Sequence, residues 1–411
     1  MNKLIRNNLP ILKIYAPLCA LMWLAFLYLM PEGGHEGDNA IWAHWGKYIF
    51  NHGLGHVYES GTDYPPLIHY LLWVFGKIQG SPEAIAEYIQ YFRLSTIIFH
   101  FVSGFMLIKL VQIFDISLEK AILSSFFYLF NIAILYNTLV WGQYDAILTS
   151  MVFLAFYAAW TKRITLSLVF WIIAMNVKIQ AIIFLPLIGL LILPTVIQTF
   201  SLKKLATWIG IPLLVQLMIL IPFIATGQAG EIGRIIVESF SKYPFVNMNA
   251  FNVWELIVDG QPGAILDSEV VAGLSYKTWG MLAFFSTSFV ALFPLLKSVW
   301  GQIFLQKKQS LPLETILLIA ALIPLLFFFL NTQMHERYAH PALIFLIAYA
   351  IISRHYGPAI LGSLAYFLNL DSVLRVLEFQ NYGVFIFNKP VIATLFLVTI
   401  CWLFVLVYRK K

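Results

Sequence analysis

Long apolar stretches separated by short polar segments follow one another along the whole chain. A helix needs about 20 mainly apolar residues to cross the hydrocarbon core of a bilayer. Stretches near this length predict an all-α, polytopic transmembrane helical bundle with about 12 spans, and the shorter stretches suggest helices that are broken, tilted or re-entrant. The predicted spans cover residues 11–30, 91–112, 119–137, 144–160, 164–177, 180–197, 203–225, 277–300, 311–330, 339–353, 357–371 and 391–408.

Two long polar segments interrupt this pattern, at residues 31–90 and 226–276. The first contains two apolar stretches, 41–50 and 65–78, that are too short to span comfortably, so we expect interfacial helices along the membrane surface. The start of the chain resembles a signal peptide, but no small-residue cleavage site follows its apolar stretch, which favours a retained first helix. We predict a single transmembrane domain over residues 1–411.

The composition agrees with a membrane protein. Hydrophobic residues make up 60% of the 411 residues, charged residues make up 11%, and the mean hydropathy is +0.81. Soluble domains carry roughly 25% charged residues, so no sizeable soluble domain is expected. Cys19 and Cys401 both lie in apolar stretches, and the sequence therefore offers no disulfide framework and no CxxC metal motif.

The net charge of +6 is distributed unevenly along the chain. Basic residues concentrate on alternate connecting segments, and Lys and Arg concentrate on the cytoplasmic side of membrane proteins. The alternation predicts a multi-pass protein of the cell (inner) membrane with both termini cytoplasmic, both long segments extracytoplasmic, and no nucleic-acid partner. The predicted cytoplasmic face holds the acids Asp115, Glu119 and Glu314 and the bases Lys3, Arg6, Lys162, Arg163, Lys203, Lys204, Lys307, Lys308, Arg354, Arg409, Lys410 and Lys411.

The first extracytoplasmic segment opens with Gly33, Gly34 and Gly37, followed by Asp38. Glycines let the backbone turn sharply, and Asp is a favoured N-cap residue. Asp38 is therefore either the cap of the first interfacial helix or a carboxylate at the membrane edge that accepts a proton from a sugar hydroxyl. Glu36 is the nearby substitute for the second role.

A pair of prolines stiffens the chain further along this segment. Pro65 and Pro66 push Tyr64 towards an extended conformation and present Asp63 and Tyr64 rigidly in front of the next helix. A simple turn explains the prolines, but it explains the acid less well.

Polar residues gather again where the third predicted span meets the fourth, in WGQYD. Trp141 and Tyr144 are typical of aromatic residues at a membrane interface. Gln143 and Asp145 favour a functional interpretation, because an acid entering a span usually faces the protein interior.

The segment NVKIQ carries Lys178 and Gln180 between two short predicted spans. Lys178 either extends towards the surface along the apolar wall or neutralises an anionic group such as a lipid phosphate. Both alternatives stay open from the sequence.

The densest polar cluster follows the span at 311–330. Arg337 can grip phosphate oxygens with two donors, and His335 can donate to them or transfer protons. A surface ion pair between Glu336 and Arg337 is the structural alternative. The cluster comprises Gln333, His335, Glu336, Arg337, Tyr338 and His340.

Together these groups predict carboxylates and cations around a lipid-accessible cavity on the extracytoplasmic face. That combination suits a reaction on a sugar attached to a lipid phosphate, in which a carboxylate activates an acceptor hydroxyl and cations stabilise the departing phosphate. A nutrient transporter would instead place polar groups near the bilayer midplane between paired halves. No cage of hard oxygen ligands stands out, so we expect no metal and no cofactor.

These residues resemble the GT-C superfamily of polytopic glycosyltransferases, and in particular bacterial proteins similar to the GPI mannosyltransferases. The motifs are scattered over most of the chain and occur in the family's order. The resemblance lies in Asp38, DYPPL at 63–67, WGQYD at 141–145, NVKIQ at 176–180, YPFVNMNAFNVW at 243–254 and MHERYAHP at 334–341.

The resemblance implies transfer of a sugar, usually mannose, from a polyprenyl-phosphate-sugar donor with inversion. It implies Asp38 as the general base, although a paired-acid motif is absent, and Glu36, Asp63 or Asp145 could share that role. It implies donor-phosphate contacts by Lys178, His335, Arg337 and Tyr338. We further expect substrate contacts by Glu36, Asp63, Tyr64, Trp141, Gln143, Asp145, Gln180, Asn249, Asn252 and Glu336.

The expected partners are the donor lipid, membrane lipids and a glycan, lipid or protein acceptor. A flippase or transporter of lipid-linked sugars is the main alternative, since it too needs many helices and cationic sites. A non-catalytic assembly subunit is the third, and the clustered polar motifs count against it. The identity of the acceptor is left open because its contacts lie in extracytoplasmic loops without a readable pattern, and that of the sugar because pocket shape decides it.

Overall fold

The computed structural model describes residues 2–31, 33–239, 241–306, 310–378 and 382–409, and it is 78% helical. The α-helices are α1 (Asn2–Leu29), α2 (Glu36–His52), α3 (Pro66–Gln79), α4 (Pro82–Glu87), α5 (Arg93–Val111), α6 (Leu118–Leu129), α7 (Ile132–Leu135), α8 (Asp145–Trp160), α9 (Ile164–Val177), α10 (Leu185–Thr199), α11 (Leu202–Ala225), α12 (Ala229–Glu238), α13 (Trp254–Ile257), α14 (Tyr276–Phe304), α15 (Leu313–Leu330), α16 (His340–Ser353), α17 (Gly357–Leu374) and α18 (Lys389–Tyr408).

Shorter elements connect these helices. A small antiparallel hairpin of β1 (Val270–Val271) and β2 (Leu274–Ser275) precedes α14. A π-helical turn occupies Tyr136–Trp141, and 3₁₀ turns occupy Leu54–Ser60, Ile89–Phe92, Gln112–Phe114, Ile179–Phe184, Pro262–Ala264 and Phe385–Phe387.

Within the described residues, eight helices are long and apolar enough to cross a membrane. A further candidate combines α6 with Ile132–Trp141 and is bent by 53°, while α8, α9 and α16 are apolar but shorter. Every predicted span coincides with one of these helices, as expected for an all-α polytopic membrane protein, but the number of crossings stays a prediction. The eight are Leu9–Leu29, Ile89–Phe114, Ile179–Thr199, Leu202–Ala225, Tyr276–Phe304, Leu313–Leu330, Gly357–Leu374 and Lys389–Tyr408.

The bend after α6 has a local cause. The side chain of Asn131 accepts hydrogen bonds from the amides of Ala133 and Ile134, at 3.1 and 3.2 Å, and so starts a new helix where α6 ends. The following π-helical turn ends at Gly142, whose φ of 89° lies in the left-handed region that glycine adopts readily. Gln143 and Asp145 therefore leave the turn in a new direction.

The centre of the bundle is formed by α15 and α16. In the 18-residue apolar stretch of α15, 78% of the residues are buried, against 22% in the corresponding stretches of Leu9–Leu29 and of α11. On α16, Phe345 packs edge-on against Phe153 and Phe156 of α8, with ring centroids 5.6 and 5.2 Å apart. A helix that is apolar all round belongs in such a core, whereas the exposed apolar faces of the peripheral helices suit contact with lipid.

The second long segment, 226–276, lies along the turn between α15 and α16. The amide of Met248 donates to the carbonyl of Met334 at 3.1 Å, and the amide of Gln333 donates to the carbonyl of Phe245 at 3.1 Å. The segment thereby covers one side of the turn that carries the predicted phosphate-binding residues.

The predicted interfacial stretches, 41–50 and 65–78, are helical within α2 and α3. Their position at a membrane surface, and the orientation of the chain, stay predictions. Of the basic residues on which the orientation depends, Lys307, Lys308, Lys410 and Lys411 lie outside the described residues.

Candidate functional site

Four helix junctions meet at one end of the bundle and bring most of the predicted residues together. They are the start of α2 with Asp38, the junction before α8 with Gln143 and Asp145, the junction after α9 with Lys178, and the turn between α15 and α16 with Arg337. The contacts described below join these junctions into one polar cluster.

Asp38 lies in the first turn of α2, but it is not the cap of that helix. The N-cap is His35, whose side chain accepts a hydrogen bond from the amide of Asp38 at 3.2 Å, so the capping interpretation of Asp38 is wrong. Because the cap is supplied by His35, the Asp38 carboxylate is free to reach another junction. Its Oδ2 accepts hydrogen bonds from Trp141 Nε1, at 3.0 Å, and from Gln143 Nε2.

The surroundings of Asp38 keep it ionised. Burial alone would raise its pKa, but the close approach of the His35 ring and the charge of Arg337 outweigh burial and lower the pKa of Asp38 to about 2. Oδ2 lies 3.3 Å from His35 Nδ1 and 3.7 Å from Arg337 Nη1. All of these contacts are made by Oδ2, and Oδ1 takes part in none of them.

Arg337 is a buried cation between two acids. Its Nε lies 3.3 Å from Glu336 Oε1, and its guanidinium lies 5.4 Å from the centre of the Trp141 ring. Burial alone would lower its pKa, but Glu336 and Asp38 hold the pKa of Arg337 above its ordinary value. Within the described part of the chain, Nε and Nη1 are buried and make no hydrogen bond of good geometry, so the two neighbouring carboxylates compensate the charge of the guanidinium there.

The pair of Glu336 and Arg337 is not at the surface, so the structural alternative of a surface ion pair is wrong. Glu336 is 2% exposed and Arg337 is 8% exposed. Burial raises the pKa of Glu336, against the opposing charge of Arg337.

Lys178 and Asp145 form a second buried pair. Lys178 Nζ lies 2.7 Å from Asp145 Oδ1, and the ammonium lies 4.6 Å from the centre of the Tyr338 ring and 5.5 Å from that of Tyr144. The Lys178 side chain is only 13% exposed, so it does not extend to the surface. The carboxylate and the aromatic faces compensate the charge there.

His335 borders the cluster as a neutral group. Burial, together with the charges of Arg337 and Lys178, lowers the pKa of His335 to about 3. Its ring packs edge-on against Tyr243, with centroids 4.7 Å apart, and lies 5.3 Å from Tyr338. At physiological pH it can donate or accept one hydrogen bond, but it adds no positive charge.

Aromatic side chains wall the cluster on the α2 side. The ring of Tyr64 contacts the rings of Trp42, Trp45 and Tyr144, with centroids 5.3, 5.0 and 5.4 Å apart. Gln180 donates from Nε2 to the carbonyl of Tyr338 at 2.9 Å and ties the α9 junction to the turn between α15 and α16.

A cavity of about 210 Å³ lies behind Tyr64. It is mostly apolar, with one reciprocal amide pair, in which Asn176 Nδ2 donates to Gln216 Oε1 at 2.6 Å. The lining residues are Tyr58, Tyr64, Pro65, Pro66, Met175, Asn176, Ile179, Gln216, Ile232, Ile235 and Ile236.

Four predicted contacts do not join the cluster. Glu36 is exposed on the first turn of α2, and Asp63 forms an ion pair with Lys242. The carbonyl of Asn249 accepts a hydrogen bond from Asn369, and Asn249 itself is exposed.

The fourth, Asn252, is fully buried. Its Nδ2 donates to the carbonyls of Phe328 and Asn331, at 3.1 and 3.4 Å. These bonds fasten the second long segment to the end of α15, so the side chain of Asn252 supports the loop.

Two polar residues that the sequence analysis did not select belong to the cluster. Asn137 Nδ2 lies 3.3 Å from Asp145 Oδ2 and 3.2 Å from His340 Nδ1, so it links α8 to α16. Arg93 donates to main-chain carbonyls in the segments that precede Asp38 and Trp141. The position of Arg93 at the start of a predicted span could have indicated a buried, functional charge, as the position of Asp145 did.

Within the residues that the structure describes, no group of three or more His, Cys, Asp or Glu side chains could hold a metal ion. Searches of the chain against protein-family models and against curated proteins give no match. The function proposed for the chain therefore draws on the site's geometry and on the motifs themselves.

Proposed function

We propose that this protein is a membrane glycosyltransferase of the GT-C type. It transfers a hexose, with mannose as the first candidate, from a polyprenyl-phosphate donor to an acceptor hydroxyl, with inversion at the anomeric carbon. The observation that carries the proposal is the 3.7 Å approach of Arg337 Nη1 to Asp38 Oδ2. A carboxylate able to accept a proton and a cation able to hold a phosphate are side by side.

In the proposed reaction, Asp38 takes the proton of the acceptor hydroxyl as that oxygen attacks the anomeric carbon. The bond between the anomeric carbon and the phosphate oxygen breaks on the opposite face, and polyprenyl phosphate leaves with the electron pair. Arg337 stabilises the departing phosphate through its guanidinium group, Lys178 adds a positive field, and His335 and Tyr338 contribute neutral hydrogen bonds.

Donor binding would also prime the base. With a pKa of about 2, Asp38 is ionised but weakly basic, because His35 and Arg337 stabilise its charge. A phosphate on Arg337 offsets the field of the guanidinium at Asp38, which raises the basicity of the carboxylate. Donor binding before acceptor deprotonation is the order that this coupling favours.

The cavity behind Tyr64 supports a lipid-linked donor. It is mainly apolar and shares Tyr64 with the aromatic wall of the cluster, so it can accept the first part of an isoprenoid chain while the phosphate contacts Arg337. We further propose that the chain crosses the membrane twelve times, with cytoplasmic termini and an extracytoplasmic site. The position of all four junctions at one end of the bundle supports this arrangement.

The test is transfer of labelled sugar from polyprenyl-phosphate-mannose by the purified protein in liposomes that contain a membrane lipid extract. Asp38→Asn should lower kcat by about 10²- to 10⁴-fold, which is the usual contribution of a general base. Glu59→Gln is the matched control. Glu59 is an exposed acid on the same extracytoplasmic segment, and among the described residues its hydrogen bonds go to Tyr48, His56 and Gln228, outside the cluster.

Two results would contradict the proposal. Equal turnover by wild type and Asp38→Asn would remove Asp38 from the base role. Movement of labelled lipid across the bilayer without any change in its bonds would favour the flippase alternative.

A further inference from the structure

Arg93, the first residue of α5, is a buried cation whose donors all reach main-chain carbonyls in the described structure. The residue is 2% exposed. Its Nη2 donates to the carbonyls of Pro31, at 3.2 Å, and Gly33. Its Nη1 donates to the carbonyls of Leu139 and Val140, the second at 3.4 Å.

These carbonyls belong to the two segments that meet at Asp38. Pro31 and Gly33 precede α2, while Leu139 and Val140 immediately precede Trp141. The Arg93 guanidinium bridges the two segments because this planar group directs its separate N–H donors in fixed directions. A fifth bond, from Nε to the carbonyl of Gln90 at 2.7 Å, fixes the Arg93 side chain to the 3₁₀ turn before α5.

The two segments also contact one another directly, through His35 and Trp141. The amide of His35 donates to the carbonyl of Trp141 at 3.3 Å, and the His35 and Trp141 rings stack with centroids 5.4 Å apart. The contact ends in the hydrogen bond from Trp141 Nε1 to Asp38 Oδ2, at 3.0 Å. Any relative shift of the two segments changes this last distance.

We infer that Arg93 is a positioning residue. It holds the turn before α2 and the segment before Trp141 together, and so fixes the distance from the Asp38 carboxylate to the Trp141 and Gln143 donors. It acts through the main chain and touches neither the carboxylate nor the predicted substrate. The placement itself does not depend on the proposed reaction, and only its effect on turnover rests on the proposed function.

The placement can be measured without any assay of activity. The full-length protein in nanodiscs is labelled with 5-fluorotryptophan, and the Trp141 resonance among the 12 tryptophans is assigned by its loss in Trp141→Phe. Asp38→Asn should shift this resonance, because Asp38 accepts the indole N–H. Arg93→Gln should shift or broaden it as well, and Arg93→Lys should do so less, since an ammonium retains part of the donor set.

Tyr15→Phe is the matched control for these variants. Tyr15 donates to the carbonyl of Phe101 at 2.8 Å, so its replacement also removes a buried side-chain bond to a carbonyl of α5, away from Asp38. The Trp141 resonance should not move in this variant. A Trp141 resonance unchanged in Arg93→Lys and Arg93→Gln would overturn the inference, and the lysine variant decides the matter if Arg93→Gln does not fold.

Turnover gives a second readout. Arg93→Lys should lower kcat by at least about tenfold, with a change in donor KM of less than about twofold, and should move the acid limb of the kcat profile to higher pH as Asp38 loses donors to its ionised form. A loss confined to KM would contradict positioning of the base. If the wild type transfers no sugar, the proposed function fails, while the fluorine measurement still decides the role of Arg93.

Discussion

The carboxylate of Asp38 is surrounded by donors that belong to the protein, and this sets how the site should respond to pH. The pKa of Asp38 is lowered to about 2 and that of His35 is raised, chiefly because the two side chains lie 3.3 Å apart. The charge on Asp38 is therefore present from neutral pH down to its lowered pKa. His335, with its pKa lowered to about 3, is neutral above that value.

The first prediction concerns the pH profile of kcat/KM, which reports groups of the free enzyme. Neither Asp38 nor His335 titrates between about pH 7 and pH 5, so neither should produce an acid limb there. Burial raises the pKa of Glu336, so Glu336→Gln should remove an acid limb that arises from this residue. A limb near pH 6.5 that disappears in His335→Gln would contradict this assignment.

The second prediction concerns Arg337. Arg337→Lys keeps the charge but loses the planar fork, so the Kd for polyprenyl phosphate should rise by about 10- to 100-fold. Binding of the labelled lipid to the protein in nanodiscs measures it. The control is Arg234→Lys, an exposed arginine of α12 paired with Glu231 and Glu238, which should bind as wild type does. Equal binding by Arg337→Lys would separate Arg337 from the phosphate.

At the scale of elements, the hydrophobic pattern was sufficient to predict the helices. Each predicted span is helical, because an apolar run of that length can satisfy its backbone only within itself. The broken span after α6 was harder to predict in detail. Its bend depends on the cap by Asn131 and on the left-handed Gly142, which are local features within an otherwise continuous apolar run.

The cluster itself was only partly predictable. Asp145 and Arg337 stand out because charges at the ends of spans are costly. The cap of α2 was assigned wrongly, because Asp is a commoner N-cap than the His35 found there. Asn252 lies in a motif of the resembled family, yet its contacts depend on how the second long segment folds over α15, which no spacing reveals.

The third prediction tests the turn that aims Gln143 at Asp38. Gly142→Ala should lower the free energy of unfolding by about 1–2 kcal/mol, since an L-residue is strained at its φ of 89°. Gly189→Ala in α10 is the matched control, because a Cβ at either glycine meets open space and only Gly142 has a positive φ. Thermal unfolding in detergent should separate the two variants. Equal midpoints would show that the turn relaxes without cost.

At the scale of the whole molecule, the orientation in the membrane is what connects the cluster to an extracytoplasmic reaction. The alternation of basic segments predicts that orientation from sequence alone. The structure adds that the polar junctions lie together, at the start of α2 and α8 and at the ends of α9 and α15.

The fourth prediction tests the orientation. In a chain with Cys19 and Cys401 replaced by alanine, a cysteine at the exposed position of Glu59 should react with an impermeant maleimide added outside cells. A cysteine at the exposed position of Arg163 should react only after the membrane is permeabilised. The reverse pattern would place the cluster on the cytoplasmic side.

The central claim is that Asp38 and Arg337 form one site for a base and a lipid phosphate. A structure determined with bound polyprenyl phosphate tests it most directly. We expect phosphate oxygens within about 3 Å of the Arg337 guanidinium, in the same cluster as the Asp38 carboxylate but not in contact with it. A phosphate bound elsewhere, with Arg337 contacting only Asp38 and Glu336, would contradict it.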